Sequence, residues 1–380
     1  MKVLMLSLDR TLLQTGEYQG DTVERHRLYG ERVEQLDVVV FCRGRQEINH
    51  ISSRVTVWPT NSSWPLTYFY QAYRLGKELH QKNRYDLIVC QDFTALAGYF
   101  LKKSIARPLL INFHGDYLEN QAWLKESPVN YLWLWLFKYL AVKADGLRVT
   151  SQGLKSKFER LKIESEKIRV INTPVNTKFF STSDHVKLNA LKNKYHSQKI
   201  ILFVGRLVKL KNIPLLFKVL KELKLSFPVK LLIIGRGEEE ENLKKLVSQF
   251  ALEKEVEFLG VQPMTELVNY YFLADVLVMP SQHESFGKVL VEAGLAAKPV
   301  IVTPTTGSAD IVKDRETGFI IDFNDEQSLL GKCQLLFADE KLAVKMGQAA
   351  QTYLQDKFDQ QKTIDMIINF WQTLVDNSKQ

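Results

Sequence analysis

Short, continuous apolar runs alternate with longer amphipathic stretches along both halves of the chain. Runs that are apolar throughout, rather than at every second position, indicate strands that are covered on both faces. Their alternation with helix-like stretches predicts parallel, doubly wound α/β sheets. The strand-like runs are 2–8, 36–42, 54–59, 85–92, 108–115, 146–151 and 168–174, then 199–206, 229–237, 255–260, 275–281, 299–304 and 318–323.

A polar stretch at 181–198 separates the two series of strands, and the length of 380 residues suits two domains. We predict one Rossmann-like domain at 1–185 and a second at 186–359. A last helix at 360–380 is expected to pack back on the first domain. Sheets of this kind bind ligands outside the carboxyl ends of their strands, so both domains are expected to face a central cleft.

Composition and charge narrow the class of protein. A content of 45% hydrophobic and 25% charged residues is typical of a globular protein. The cysteines, Cys42, Cys90 and Cys333, are scattered, which indicates buried thiols rather than disulfides or a zinc site. The N-terminal apolar run is too short for a signal peptide, and no stretch has the length of a membrane span, so a cytoplasmic protein is expected.

The net charge of +8 is carried by the first half of the chain, where residues 1–180 hold 26 basic and 18 acidic residues. An anionic partner such as a membrane surface would explain this excess, and so would solvated surface lysines. A nucleic-acid partner is not expected, because no recognisable reader fold with interleaved basic and aromatic residues is present.

Two cations follow the first strand of the second series. Arg206 comes directly after Gly205, and Lys211 follows before a helix that is predicted to begin near Pro214. A loop at the carboxyl end of a strand is a suitable place for a phosphate or pyrophosphate. Arginine would offer it a planar fork and lysine a point charge. Two solvated basic residues are the alternative.

The stretch HESFGKVLVE (283–292) places two glutamates, Glu284 and Glu292, on either side of a predicted helix start at Gly287. The first N–H groups of that helix, from Phe286 to Val289, would bind an anion, and Lys288 adds positive charge. Glycine at position 287 lets a ligand approach the backbone closely. Carboxylates on both sides of an anion site suit a ligand with hydroxyls at each end and phosphate between, such as a nucleotide sugar.

Several motifs, in the order in which they occur along the chain, resemble the donor domain of retaining glycosyltransferases of family 4 (glycosyl transferases group 1), which have the GT-B fold. The similar stretches are GRLVKLKN, FLGVQP, PSQHESFGKVLVEAGLAAKPVIVT and TTGSADIVKDRETGFII, and more weakly INFHGD and VINTPVNTKFF. The similarity is strong over 199–325 and weaker over 85–180.

The resemblance implies roles for individual residues. Arg206 and Lys211 would hold the donor diphosphate, and Glu292 would bind the ribose. Glu284 would face the transferred sugar, and His114 would contact that sugar from the first domain. The other donor-binding positions that it implies are the backbone from Phe286 through Gly287 and Lys288 to Val289, the loop from Val261 against the base, and Gly20.

The chain departs from the family pattern at three places. Gly16 and Gly20 stand apart, where the family often has adjacent glycines, so the role of this loop in donor or acceptor binding is open. Ala297 replaces a usual glycine, and Asp310 a usual glutamate. No Asp-x-Asp pair follows a strand, and we expect neither a cofactor nor a divalent metal, with the two cations and the helix end supplying positive charge instead.

The stretch NYLWLWLFKYLAVKAD (130–145) is the most hydrophobic helix-like segment, and at about 13 apolar residues it is too short to span a bilayer. It predicts either a helix buried against the first sheet or an interfacial helix. A lipid-linked acceptor would account for an interfacial helix and for the basic first half, with the protein peripheral at the inner face of the cell membrane.

The predicted function is a hexosyltransferase-type enzyme that moves a sugar from a nucleoside-diphosphate sugar to a glycan or lipid-linked acceptor, with retention. Bacterial-type surface polysaccharide or glycoconjugate synthesis would be its setting. A nucleotide-sugar epimerase or a sugar phosphorylase on the same fold is the alternative, although an epimerase would need acid–base residues besides His114. A binding module that has lost catalysis is disfavoured by the intact Arg206, Lys211, Glu284 and Glu292.

Overall fold

The computed structural model describes residues 1–13, 20–64, 67–180, 183–224 and 226–379. It divides into two units of Rossmann-like α/β architecture. The first contains Met1–Pro174 and Gln361–Gln380, and the second contains Val175–Gln360. Each unit has its own sheet, as the pattern of apolar runs predicts.

The sheet of the first unit has eight strands in the order β3-β4-β2-β1-β5-β6-β7-β8. All pairs are parallel except β3 with β4, which is antiparallel. The short, polar β3 is absent from the predicted strands because its sequence, NHIS, has no apolar run. The strands are β1 (Lys2–Ser7), β2 (Gln35–Val40), β3 (Asn49–Ser52), β4 (Val55–Pro59), β5 (Leu87–Gln91), β6 (Leu109–Phe113), β7 (Gly146–Val149) and β8 (Ile168–Val170).

Helices cover both faces of this sheet, which is why its central strands are apolar on both sides. Leu4 and Leu6 of β1 belong to one core cluster, whereas Val3 and Met5 belong to the other. The helices are α1 (Gly20–Arg32), α2 (Tyr68–Asn83), α3 (Ala95–Ile105), α4 (Gln121–Glu126), α5 (Val129–Lys143), α6 (Gln152–Glu159) and the C-terminal α15 (Gln360–Asn377).

The C-terminal helix α15 packs on the first unit. Ile364, Ile367 and Trp371 are buried in the core cluster that contains Val3 and Met5. The ring of Trp371 lies 5.3 Å, centroid to centroid, from that of Tyr29 on α1.

The sheet of the second unit has six parallel strands in the order β11-β10-β9-β12-β13-β14. Its strands are β9 (Lys199–Val204), β10 (Val229–Ile234), β11 (Val256–Gly260), β12 (Val276–Met279), β13 (Val300–Val302) and β14 (Gly318–Ile320). Its helices are α7 (His185–Lys194), α8 (Pro214–Leu223), α9 (Glu240–Gln249), α10 (Met264–Leu273), α11 (Lys288–Leu295), α12 (Ser308–Ile311), α13 (Glu326–Ala338) and α14 (Glu340–Lys357).

The boundary between the units differs from the predicted 185/186 and lies between Pro174 and Val175. Val175 and Phe180 are buried in the core of the second unit, where the ring of Phe180 packs 5.7 Å from that of Tyr271. The apolar anchors, rather than the polar stretch that follows them, therefore decide where the second unit begins. The return to the first unit falls at Gln360/Gln361.

The most hydrophobic predicted helix is α5, and it is buried on one face only. Phe137, Leu140 and Ala141 lie in the core, while Leu132 and Trp135 are exposed. None of the described helices is both long and apolar enough to cross a membrane. The three cysteines are buried free thiols, as predicted.

Candidate active site

The second sheet reverses its strand order between β9 and β12, since β10 and β11 lie on one side of this point and β13 and β14 on the other. Crevices at the carboxyl ends of strands beside such a reversal are where open α/β sheets bind ligands. The loop after β9 carries Arg206 and Lys211, and the loop after β12 carries Glu284. The fold therefore brings these two predicted segments to one edge of one sheet.

Backbone hydrogen bonds hold the loop after β12 on both sides. The N–H of Gln282 donates to the carbonyl of Leu210 at 2.8 Å, and the N–H of Gly307 donates to the carbonyl of Glu284 at 2.8 Å. A Cβ on Gly307 would lie 2.4 Å from the carbonyl oxygen of Phe286. The loop therefore depends on glycine at position 307 for its close packing.

Lys211 and Glu284 form an ion pair across this edge. Lys211 ends a short 3₁₀ turn, Lys209–Lys211, and the side chains of the pair are only 15% and 20% exposed. Arg206, at the start of the same loop, has an exposed side chain. The arrangement offers a ligand one fixed ammonium–carboxylate pair and one guanidinium that is free to reach it through solvent.

The predicted helix start is confirmed, because α11 begins at Lys288 with Gly287 as its N-cap. Gly287 has φ +84°, a conformation that glycine adopts most readily. A Cβ there would lie 3.0 Å from Leu290 Cδ1, so glycine also avoids crowding. The first N–H groups of a helix have no intrahelical acceptor and favour an anion. The Phe286 side chain is buried, with its ring 5.6 Å from that of Phe358, so this side chain is not available to a ligand.

Glu292 is buried, with 3% of its surface exposed. The hydroxyl of Tyr271 donates to its Oε2 at 2.6 Å, and Lys288 Nζ lies 3.3 Å from its Oε1. Burial and the neighbouring carboxylate raise the pKa of Tyr271, so this hydroxyl remains a neutral donor. The two partners fix the Glu292 carboxyl group one helical turn from the N-terminus of α11.

The loops after β10 and β11 complete this edge of the sheet. Gly235 has φ +137°, and a Cβ there would lie 1.9 Å from the carbonyl oxygen of Gly205. Its N–H donates to the carbonyl of Gly260 at 2.8 Å, and Val261, the predicted base contact, is exposed directly after β11. Gly235 therefore allows three neighbouring loops to pack together beside Arg206.

His114 lies in the first unit, directly after β6. Its N–H donates to Asp92 Oδ1 at 3.0 Å, and the N–H of Gly115 donates to the same oxygen at 3.3 Å. Burial, together with Arg148 and Arg25, lowers the pKa of His114 to about 3, so its ring is neutral at physiological pH. Burial raises the pKa of Asp92 to about 7.

Gly20, the remaining predicted position, is the first residue of α1. Gly16 and the rest of 14–19 lie outside the described residues. Ala297 adopts a left-handed conformation with φ +55°, which explains why a glycine suits this position. Asp310 lies in α12, and its carbonyl accepts a hydrogen bond from Lys357.

Two residues that hydrogen bond to predicted site residues are missing from the sequence prediction. They are Asp92, which contacts His114, and Tyr271, which contacts Glu292. Asp92 ends the apolar run YDLIVCQD, so its place after a strand is a usable signal, the same one that identifies His114. Tyr271 lies on α10, and nothing in its local sequence indicates a contact with Glu292. No group of three or more His, Cys, Asp or Glu residues suited to a metal ion occurs within the described part of the chain.

Two family models match successive parts of the chain. The model for Glycosyltransferase Family 4 matches residues 30–179, and the model for Glycosyl transferases group 1 matches residues 187–353. Among curated proteins, the capsular polysaccharide biosynthesis glycosyltransferase CapM of Staphylococcus aureus is 28% identical over 256 residues, which are 66% of this chain and 67% of that protein.

Solved structures resemble the chain over almost its whole length. Anabaena Alr3699/HepE in complex with UDP and glucose superposes with a TM-score of 0.80 at 21% identity, covering 98% of this chain and 100% of that one. The sucrose-phosphate synthase of Thermosynechococcus elongatus gives a TM-score of 0.84 at 21% identity and covers 98% of each chain. The chain thus has the GT-B fold of these enzymes.

Proposed function

Because the chain belongs to the glycosyltransferases that the family 4 and group 1 models describe, and is therefore a transferase, we propose that it moves a sugar from a nucleoside-diphosphate sugar to an acceptor hydroxyl, with retention of configuration. The observation that carries this proposal is the Lys211–Glu284 ion pair beside the N-terminus of α11 at the strand-order reversal. It combines groups for a sugar and groups for a diphosphate at one sheet edge.

Stabilisation of the leaving group is the main chemical task that these residues can perform. The bond between the anomeric carbon and the phosphate oxygen breaks as the acceptor oxygen bonds to that carbon, and the acceptor proton passes to the departing phosphate. Arg206, Lys211 and the first amides of α11 would neutralise the charge that develops on the nucleoside diphosphate. Preorganised charges of this kind cost no reorganisation during the reaction.

Glu284 is assigned to sugar binding rather than to nucleophilic attack. Its carboxylate is engaged by the Lys211 ammonium, and an ion-paired carboxylate is a weaker nucleophile than a free one. Attack on the same face from which the phosphate leaves would then account for retention. His114, with its neutral ring, would donate or accept a hydrogen bond from a sugar hydroxyl.

The nucleoside is assigned to the other groups at this edge. The fixed carboxyl group of Glu292 would accept hydrogen bonds from the ribose hydroxyls, with Tyr271 and Lys288 holding its orientation. Val261 would contact the base. The backbone of Phe286, Gly287 and Val289 would bind phosphate, with Lys288 adding charge.

We further propose that transfer needs no divalent metal, because the two cations and the helix N-terminus can supply the positive charge that a metal would otherwise bring. The comparison of initial rates with and without a chelator tests this directly. Rates that are equal in both conditions support the proposal, and loss of transfer that is restored by Mg²⁺ or Mn²⁺ contradicts it.

The proposed acceptor is a glycan or a lipid-linked saccharide in the synthesis of a surface polysaccharide or glycoconjugate, at the inner face of the cell membrane. The similarity to a capsular polysaccharide glycosyltransferase and the basic first half of the chain support this choice.

A donor screen tests the proposed function. Thermal unfolding with UDP, GDP, ADP and their sugars should show that one nucleotide series raises the midpoint. The stabilising donor, incubated alone and followed by NMR, should hydrolyse slowly to the free sugar and the nucleoside diphosphate. Isomerisation of the donor would instead indicate an epimerase, and no stabilisation by any nucleotide would contradict the proposed site.

A further inference from the structure

The first unit presents an exposed apolar face on two neighbouring helices. Leu132, Trp135, Tyr139 and Val142 follow one another at spacings of three and four residues along α5, so they form a single stripe. Leu132 is 57% exposed and Trp135 is 60% exposed. Phe100 of α3, which is 51% exposed, is linked to the stripe through Tyr99, whose ring lies 5.8 Å from that of Phe100 and 5.8 Å from that of Tyr139. We call this surface, Phe100 with Leu132, Trp135, Tyr139 and Val142, the aromatic face.

The aromatic face is an ordered surface rather than a set of isolated side chains. The rings of Trp135 and Tyr139 stack at 5.8 Å with an interplanar angle of 11°. The hydroxyls of Tyr139 and Tyr99 are hydrogen bonded at 3.0 Å, which ties α5 to α3. The opposite side of α5 is anchored by Phe137 and Leu140 in the core. The exposed stripe is therefore held in place by packing.

The charged side chains that belong to the two helices of the aromatic face are all basic. Neither α3 nor α5 contains an aspartate or a glutamate, whereas they contain Lys102, Lys103, Lys138 and Lys143. Lys102 pairs with Asp145, two residues beyond the end of α5. Lys103 Nζ lies 4.8 Å from the centre of the Tyr99 ring, and Lys143 Nζ lies 5.9 Å from that of Tyr139. Exposed aromatic rings are thus bordered by ammonium groups.

Trp and Tyr rings with neighbouring lysines are typical of surfaces that lie in the headgroup region of a bilayer. Anionic headgroups would match the lysines. A second copy of the chain is a poorer match, because a two-fold contact through this face would bring the lysines of both copies together without an acid on either helix.

We propose that the aromatic face docks on an anionic lipid bilayer, with α5 lying parallel to the membrane plane. The aromatic face is the surface, and an anionic bilayer the partner, for the membrane setting of the proposed function. Only the biological purpose of docking rests on that function. Docking would hold the first unit at the membrane, where a lipid-linked acceptor presents its saccharide.

Co-sedimentation of the full chain with lipid vesicles tests this proposal. The wild-type protein should bind vesicles of phosphatidylcholine with phosphatidylglycerol, bind phosphatidylcholine alone more weakly, and lose binding as salt is raised. The double variant Leu132→Glu/Trp135→Glu should bind the anionic vesicles at least about tenfold more weakly, because it removes apolar contacts and adds repulsion. The matched control is Val186→Glu, which changes an 81% exposed valine of the second unit and should bind as the wild type does.

Two further measurements distinguish docking on lipid from misfolding of the variant and from dimerisation. Hydrolysis of the donor in the absence of acceptor should be equal in the double variant and the wild type, which shows that the variant is folded. Because this assay reports on the proposed transferase and vesicle binding does not, failure of the transferase assignment and failure of membrane docking are distinguishable. Equal vesicle binding by wild type and double variant, or no binding by either, overturns the proposal. So does a wild-type dimer in analytical ultracentrifugation that the double variant abolishes, because this result would assign the face to a second copy.

Discussion

Lys211 and Glu284, 73 residues apart in sequence, form an ion pair across the carboxyl edge of the second sheet. The pair joins the loop after β9 to the loop after β12, on either side of the point where the strand order reverses. In the proposed reaction its ammonium faces the diphosphate and its carboxylate faces the sugar. The pair therefore links leaving-group stabilisation to the position of the transferred sugar.

Replacement of Lys211 by alanine should strongly reduce transfer. The loss of one fixed donor to a developing oxyanion lowers turnover by about 10²–10³-fold, and we expect a loss of this order in kcat. Lys209→Ala is the matched control, since Lys209 is an exposed lysine of the same 3₁₀ turn. Steady-state rates that are near normal for Lys211→Ala, or equal losses in both variants, would remove Lys211 from the proposed role.

Tyr271→Phe should weaken both the fold and the donor site. The substitution removes the hydroxyl that donates to buried Glu292, and an unsatisfied buried acceptor costs about 1–3 kcal/mol of unfolding free energy. The KM for the donor should rise, because Glu292 loses its orientation. Denaturant unfolding and donor titration measure the two effects.

A double-mutant cycle of Tyr271→Phe with Glu292→Gln measures the energy of the contact separately from the effect of each single substitution. If Tyr271 acts through Glu292, the two substitutions should be non-additive in unfolding free energy and in donor KM. Strict additivity would show that the hydroxyl does not position the carboxyl group.

Much of this edge can be predicted from the sequence, because each element has a local signal. Continuous apolar runs locate the parallel strands, and Gly287 locates the start of α11. The Tyr271–Glu292 contact cannot be predicted, since it depends on how α10 packs against α11. The predicted boundary between the units falls too late for a related reason, because the burial of Val175 and Phe180 outweighs the polar sequence that follows them.

Asp92→Asn should change how stability depends on pH. The folded-state pKa of Asp92 is about 7, above the value of 3.8 for an unperturbed aspartate, so the folded state retains a proton that the unfolded state loses. Wild-type unfolding free energy should therefore decline from this source as the pH rises from about 4 to 7. The asparagine cannot ionise, so the variant should gain relative stability over this range.

Denaturant midpoints measured at several pH values test this expectation. His114, with its pKa lowered to about 3, contributes the opposite slope, because stability falls as the pH drops from 6.5 towards 3. This contribution of His114 is present in both proteins, so it does not change the difference in unfolding free energy between them. Asp322→Asn, at an exposed position, is the control. Parallel stability profiles for wild type and Asp92→Asn would contradict the assignment.

Ala297→Gly should stabilise the protein slightly. Ala297 has φ +55°, where a non-glycine residue lowers the unfolding free energy by about 1–2 kcal/mol. Glycine lowers it by about 0.4–1 kcal/mol, because it increases the conformational entropy of the unfolded chain. A net gain of about 0.5 kcal/mol is expected in chemical denaturation. Ala296→Gly, at φ −78°, should destabilise the protein instead. A destabilised Ala297→Gly variant would show that the alanine methyl makes a compensating contact.

The central claim is that the carboxyl edge of the second sheet binds the diphosphate of a nucleotide sugar, and calorimetric titration of UDP, GDP and ADP tests it most directly. One nucleotide should bind the wild type, and Arg206→Ala should weaken its binding about tenfold or more, because charge-assisted hydrogen bonds to phosphate are lost. Arg315→Ala, at an exposed arginine of the same unit, should bind as the wild type does. Equal affinity of wild type and Arg206→Ala, or no binding of any of the three nucleotides, would contradict the account.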